Sequence, residues 1–421
     1  MTQLAGVFRS LREDAGVTQE ELAEKAGLSV RTISDIERGL RKRLYRDTAE
    51  RLGDALGLAD ESLAEFVELA RGRAASSADL TAEFRRRFVA WHVDRVGALA
   101  DQVGHEEQWY AVLDADEANL AVALRWAYEA GDTESLLQLA TGLFRYWQSR
   151  GDLGLGRQWL ERGLNADNPP SPQLRMSALW GLAWLAYHQG DDACASECAR
   201  ELSELATQHT DASARRNAAT VVGIVGLSRD DIGGAIEAFD EALRIARDLD
   251  QSWILATSLL NLGIAKIAAK DTTEARALIG EALREYTELG DERFRARSLG
   301  YLGLAALVDG DVDRGEALFA QSLTVFDALD EAKGVTEALS GLATAAAMRG
   351  QATRAAQLAG ASERMRESFA GRAFPVERRL AEVEIARIQA DTDAQDWREA
   401  WTTGRAFRQD EAITAGLALK A

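Results

Sequence analysis

The sequence predicts an all-α chain: a head of five short helices followed by a long solenoid of paired helices. Three observations predict it. Leucines, aspartates and glycines recur at intervals of 40 residues in the second half of the chain. The first 71 residues show helical spacing of apolar side chains, interrupted by glycines and capping residues. Only four prolines occur in 421 residues, three of them at Pro169, Pro170 and Pro172, so long stretches are free to be helical.

In the head, Leu4, Val7, Phe8 and Leu11 form one apolar stripe that ends at Ala15-Gly16. Thr18-Gln19-Glu20-Glu21 reads as a capping box, in which Thr18 caps the next helix and Glu21 reaches back. Leu22, Ala23 and Ala26 face inward, and Gly27 supplies a left-handed turn residue. Ser29 then caps a third helix, Val30–Glu37, with Ile33 and Ile36 buried and Arg31, Thr32 and Asp35 outward. Asp47 and Asp60 are expected to cap two more, Thr48–Leu56 and Glu61–Ala70. Two short helices joined by a glycine turn, the second bearing outward polar groups near its start, form a helix-turn-helix.

Charge supports this reading once it is divided. The chain carries 49 basic and 68 acidic side chains, net −19, which excludes a generally basic nucleic-acid coat. Residues 1–75 hold 12 basic and 14 acidic side chains, net −2, leaving net −17 for the rest. Within the head, Ser29–Arg46 is net +4, a single basic spot on an acidic molecule.

The segment GVTQEELAEKAGLSVRTISDIERGLRKR resembles the helix-turn-helix of the Cro/C1-type (XRE) repressor domain, over roughly residues 4–70. The resemblance implies that Gln19 touches backbone phosphate or a base edge. Ser29, Val30, Arg31 and Thr32 would open the recognition helix, with Arg31 placed to read guanine O6/N7 and Val30 a thymine methyl. Arg38, Arg41, Lys42 and Arg43 would sit on phosphate.

Beyond a linker at 72–79, the 40-residue period begins. Asp191, Asp231, Asp271 and Asp311 share it, with Gln351 in the next slot, as do Gly223, Gly263 and Gly303. Leu243, Leu283 and Leu323 form another such series. Each unit reads as helix, tight turn, helix, and one pair cannot bury both its faces, so neighbours stack into a right-handed solenoid. SLLNLGIAKIAAKDTTEARALIGEAL and SLGYLGLAALVDGDVDRGEALFAQSL resemble tetratricopeptide repeats lengthened from 34 to 40 residues. The expected organisation is the helix-turn-helix domain at 1–71, a helical bundle with a first degenerate repeat at 80–172, repeats at 173–370 and a helical cap at 371–421.

DADEANLAVALRWAYEAGD, RYWQSRGDLGLGRQWLERGL and WREAWTTGRAFRQDEAITAGLAL resemble STAND-class bacterial regulators, which join a DNA-binding domain, an NB-ARC ATPase module and tetratricopeptide repeats. The middle module is missing. A phosphate-binding loop needs Lys followed by Ser or Thr, and Lys25, Lys42, Lys266, Lys270, Lys333 and Lys420 precede Ala, Arg, Ile, Asp, Gly and Ala. No nucleotide partner is expected.

In tetratricopeptide arrays the first helix of each pair lines the concave groove. That register selects Trp180, Trp184 and Tyr187, then Asn217 and Ile224, then Leu260, Asn261 and Ile264, then Arg297, Tyr301 and Leu304. The expectation is an apolar trough with polar anchors for a peptide or a partner helix. By resemblance, Asn261 would hold ligand backbone or a terminal carboxylate, with Arg297 as a charge partner. Ile224 and Tyr301 occupy other expected clamp positions, so a full carboxylate clamp is absent.

Other chemistry is unsupported. Four histidines and two cysteines are scattered too widely for a zinc site, and Cys194 and Cys198 read as small packing residues on one helix face. No nucleophile elbow, zinc-protease or dinucleotide motif appears. The longest charge-free runs reach 15 residues, short of a membrane span. The charged N-terminus, without the apolar stretch of a leader, and the low cysteine content fit a cytoplasmic setting. The expected protein is a non-enzymatic, cofactor-free transcriptional regulator. Its partners would be a double-stranded DNA operator, a peptide or protein in the groove, and a second copy in a homodimer. The alternative is a tetratricopeptide scaffold or adaptor with a helix-turn-helix that does not bind DNA.

Overall fold

The computed structural model describes residues 3–41, 43–58, 60–71, 77–100, 106–367 and 375–418. Among these residues every regular element is an α-helix, 22 in all. Contacts divide the chain into two units: Met1–Tyr146 with Gln158–Ala178, and Trp147–Arg157 with Leu179–Ala421. Of the expected linker, residues 77–79 belong to a helix and 72–76 lie outside the described residues.

The first unit begins with α1 (Gln3–Asp14), α2 (Gln19–Ala26), α3 (Val30–Glu37), α4 (Arg46–Ala55) and α5 (Asp60–Ala70). Phe8, Leu22, Ile33, Ile36, Leu52 and Phe66 fill their core. The capping box forms: the Glu21 amide donates to Thr18 Oγ1 at 3.1 Å, and the Thr18 amide donates to Glu21 Oε2 at 2.7 Å. Gly27 ends α2 at φ +59°, the left-handed turn that a β-carbon would strain. From α4, Arg51 donates to the Ala26 carbonyl at 3.0 Å and to the Gly27 carbonyl, so a cation closes the negative end of α2. Asp47 does not cap α4: Tyr45 precedes the helix without a side-chain cap, and Asp47 lies inside the first turn, where the helix dipole still favours a carboxylate. Asp60 is the first residue of α5, and its side chain lies outside the described residues. α6 (Ser77–Ala100) and α7 (Glu106–Glu129) follow, with Trp126 set edge-on to Phe84 and Phe88 at 6.2 and 5.1 Å. α8 (Thr133–Arg150), α9 (Leu153–Leu164) and α10 (Pro172–His188) lead into the repeats.

The second unit is the array. α11 (Asp192–Gln208), α12 (Ala212–Ser228), α13 (Ile232–Asp248) and α14 (Ser252–Ala268) are followed by α15 (Thr272–Leu289) and α16 (Glu292–Val308). α17 (Val312–Ala328), α18 (Ala332–Met348) and α19 (Ala352–Arg366) complete the repeats. Asp191, Asp231, Asp271 and Asp311 each accept a hydrogen bond from the amide three residues on, at 3.0 to 3.2 Å. Gln351, in the same slot, makes no such bond. The turns carry a residue with positive φ at every twentieth position: Gly190, Thr210, Asp230, Asp250, Lys270, Gly290, Gly310, Asp330 and Gly350. The period-40 glycines mark where paired helices touch: a β-carbon at Gly263 would lie 2.5 Å from Ile279, and one at Gly223 would lie 2.6 Å from the Phe239 ring.

Three helices end the chain: α20 (Pro375–Ala390), α21 (Ala394–Arg405) and α22 (Gln409–Leu417). α21 packs on α19, and α22 on α17, α18 and α19. α20 turns back and lies mainly against α18 and α19, and more lightly against α12 and α14.

Five of the nine turn residues are not glycine, and an L-residue in this conformation costs roughly 1–2 kcal/mol, offset in part by glycine's greater chain entropy. Lys270→Gly should therefore stabilise the array by about 0.5–1 kcal/mol, read as a raised urea midpoint. An unchanged or lowered midpoint would contradict it.

Candidate functional site

The head is organised around one buried carboxylate. Glu37, at the end of α3, is 2% exposed. Gln19 Nε2 donates to it from α2 at 2.7 Å, Arg12 donates to it from α1, and Arg9 lies 3.5 Å away. Burial pushes the Glu37 carboxyl up, but hydrogen bonds from Arg12 and Gln19 and the charges of Arg12 and Arg9 outweigh it and hold it low. Gln19 thus spends its amide nitrogen inside the domain, fixing α2 to α3. The sequence reading missed Glu37. Its signal was present, since Glu37 follows Ile33 by one helical turn and so falls on the buried stripe.

With its inner face locked, α3 presents its start outward. Ser29 Oγ accepts from the Thr32 amide at 3.2 Å and contacts the Thr32 hydroxyl at 2.9 Å, so both serve the cap. Val30 is 39% exposed, and the Arg31 side chain is 90% exposed with Asp35 at 4.0 Å. Beyond α3, Arg38, Arg41 and Arg43 are exposed. Among the described residues, no carboxylate lies within 4 Å of these three guanidinium groups. Lys42 lies outside the described residues.

The groove residues divide into two groups. Trp180, Trp184 and Tyr187 run along α10 with ring centroids 5.5 and 6.5 Å apart. Trp184 Nε1 donates to Gln148 Oε1 at 2.8 Å, and the Gln148 nitrogen lies 2.9 Å from His188 Nε2. That bond requires the ring nitrogen to accept, and burial, then the charges of Lys333 and Arg297, holds His188 well below its usual value and neutral. Further along, Ile224, Leu260, Ile264, Tyr301 and Leu304 are buried, while Asn217, Asn261 and Arg297 are half-buried.

Arg297 and Tyr301 belong to a charged cluster. Arg297 lies 3.8 Å from Glu337 of α18, and Arg293 pairs with Glu331 at 3.0 Å. Half-buried Lys333 stands among them, its ammonium pushed down by burial and by Arg297 and Arg293 against the pull of Glu337 and Glu331. From α20, Glu377 comes beside Tyr301, the two lining one cavity. Burial and neighbouring Glu337 push the Glu377 carboxyl up to about 7, against Tyr301, Arg297 and Lys333. A cavity of about 30 Å³ lies beneath, lined in part by Tyr301, Leu304, Phe319 and Glu377. That is room for one water molecule. Lys333 and Glu337, inside the repeats on α18, and Glu377, beyond them on α20, were not among the expected groove residues.

Among the described residues no three His, Cys, Asp or Glu side chains converge as metal ligands, and no helix is long and apolar enough to cross a membrane. A helix-turn-helix domain family matches residues 3–66. A comparison with curated proteins finds no match. Among solved structures, aspartyl phosphate phosphatase F from Bacillus subtilis is similar at 10% identity and a TM-score of 0.50, over 99% of this chain and 94% of its own. A STAND protein with a tetratricopeptide-repeat sensor from Pyrococcus horikoshii is 12% identical, with a TM-score of 0.48, over 92% of this chain and 56% of its own. PlcR of Bacillus thuringiensis, solved with the peptide PapR7 and DNA, is 14% identical, with a TM-score of 0.38, over 78% of this chain and 96% of its own. These are likenesses of fold. The chain is a helix-turn-helix domain followed by a tetratricopeptide-like helical solenoid.

Removing Glu37 would take from Arg12, whose side chain is 14% exposed, its buried carboxylate while leaving its bond to the Val17 carbonyl, so Glu37→Ala should destabilise the head by about 3 kcal/mol, measured by chemical unfolding of the intact chain. A loss below about 1 kcal/mol would remove Glu37 from the centre of the domain. The groove should respond to pH through His188. The unfolded chain binds a proton near pH 6.5 that the fold refuses, so this site costs stability as pH falls, by up to about 1.4 kcal/mol per unit. Glu377 acts in the opposite sense, favouring the fold below pH 7 and losing that contribution as pH rises through about 7. Comparing His188→Gln with the unaltered chain at pH 7.5 and 5.5 isolates the histidine. The variant should lose less stability on acidification, and identical losses would contradict the assignment.

Proposed function

We propose that the chain is a DNA-binding transcriptional regulator of the XRE type whose solenoid senses a peptide or protein ligand. The observation that carries this reading is the outward start of α3. Val30 and Arg31 project from a helix whose opposite face is locked, and Arg38, Arg41 and Arg43 follow as exposed cations with no carboxylate within 4 Å among the described residues. On a chain whose remainder carries net −17, these cations favour a small directed contact with phosphate over broad electrostatic binding. The family match over residues 3–66 supports the same role.

A homodimer would present two copies of α3 to half-sites about one helical turn apart. A peptide or protein on the concave face would change operator affinity only to the extent that it binds one arrangement of the dimer better than another. The work is binding throughout, without a nucleotide switch.

Genome-wide footprinting supplies the operator, and a salt series on that duplex tests the reading. Arg31→Ala should cost about 1–3 kcal/mol and relax preference at one base position. Arg41→Ala or Arg43→Ala should weaken all sequences alike and lower the slope of log affinity against log salt by about 1 each. A chain that binds no duplex at low salt would overturn the regulator reading in favour of a scaffold.

A further inference from the structure

α20 is an unusual helix for its position. Among its described side chains only Val376 and Ile388 are buried, whereas neighbouring α18 buries twelve residues. Val383, midway along α20, is 63% exposed. An apolar contact holds the C-terminal end of α20, where Ile388 and half-buried Ile385 pack with Ala346, Ala347, Ala356 and Trp397, and polar ties hold it elsewhere. Arg379 pairs with Asp230 in the turn after α12, Glu377 lines a cavity with Tyr301 of α16, and Arg387 Nη2 donates to the Ala347 carbonyl at the end of α18 at 3.1 Å. The helix therefore spans the inner side of the array from the α12 pair to the α18 pair, while burying little apolar surface. Elements held this way open at a free energy well below that of the core.

The receiving surface is a mixed cluster of charge, in which Glu337 and burial oppose the pull of the cations on an incoming carboxylate. Arg293, Arg297 and Lys333 face Glu331 and Glu337, one cation in excess before Glu377 arrives. Among the described residues, Lys333 has no carboxylate within 4 Å. The site accepts one acidic group beside Tyr301, and α20 supplies it.

We propose that the face formed by the first helices is a receptor for a short helix of balanced charge that seats one carboxyl group beside Tyr301, that α20 is its resident occupant, and that the external ligand is a peptide of the same chemistry that displaces it. This rests on the solenoid being the sensor and names what the sensor takes. The ligand places a carboxylate between Tyr301, Arg297 and Lys333, and the groove is free to hold it only while α20 is released.

The test uses the full chain and a labelled synthetic peptide of residues 375–390. A variant carrying Glu377→Ala, Arg379→Ala and Arg387→Ala loosens α20 without touching the receiving surface. It should bind the peptide at least tenfold more tightly than the unaltered chain does. Adding Lys333→Met to it, or replacing the peptide's glutamate at the Glu377 position with glutamine, should remove most of that gain. In the unaltered chain, amide hydrogens of α20 should exchange at least tenfold faster than those of α16 and α18. Equal exchange across the three helices, or equal peptide binding by both chains, would overturn the proposal. So would a loosened variant that dimerises instead of gaining peptide, because the occupant would then be a second copy. Operator affinity is measured in parallel. A peptide gain with operator affinity unchanged supports this receptor while removing the sensor role.

Discussion

A left-handed residue at every twentieth position is the constraint on which the rest of the array depends. It ends each helix after 17 or 18 residues and reverses the chain, so successive helices have the same length and begin in the same rotational phase. Equal phase places Phe239, Ile279 and Phe319 in one slot, each against the glycine of its own pair. It also sets Arg297 and Glu337 one repeat apart and facing. One inserted residue within a helix would rotate everything beyond it by about 100° and send Arg297 away from Glu337.

The head solves a different problem with one buried charge. A carboxylate in an apolar core is costly unless fully satisfied, and Glu37 is satisfied only when α1, α2 and α3 are all in place. Three helices too short to persist alone are thereby made to form together. The outward direction of Arg31 is a product of that inner lock.

Short-range signals made much of this legible in the sequence. Thr18 with Glu21, Gly27 and Ser29 set the bounds of α2 and α3, because capping involves residues three or four apart. The aspartates at Asp191, Asp231, Asp271 and Asp311 did the same for the array. Longer-range pairing was not legible. The partners of Glu37 lie 18 and 25 residues away, and nothing local shows that Gln19 points its amide inward. Thr210, Asp250 and Lys270 hide left-handed turns that glycine would have advertised. α20 lacks a continuous apolar stripe, so its place on the array depends on scattered contacts that no periodicity encodes. That is why the expected trough includes Arg297 and Tyr301 but omits Glu377, which α20 brings beside them.

The lock at Glu37 has a thermodynamic consequence for any encounter with a duplex. A recognition helix already fixed on its inner face has little backbone left to order, so association need not carry the large negative heat-capacity change of coupled folding. If the proposed contact forms, its heat signature would be dominated by released counterions and by the few exposed side chains, such as Arg31, that would give up rotamer freedom.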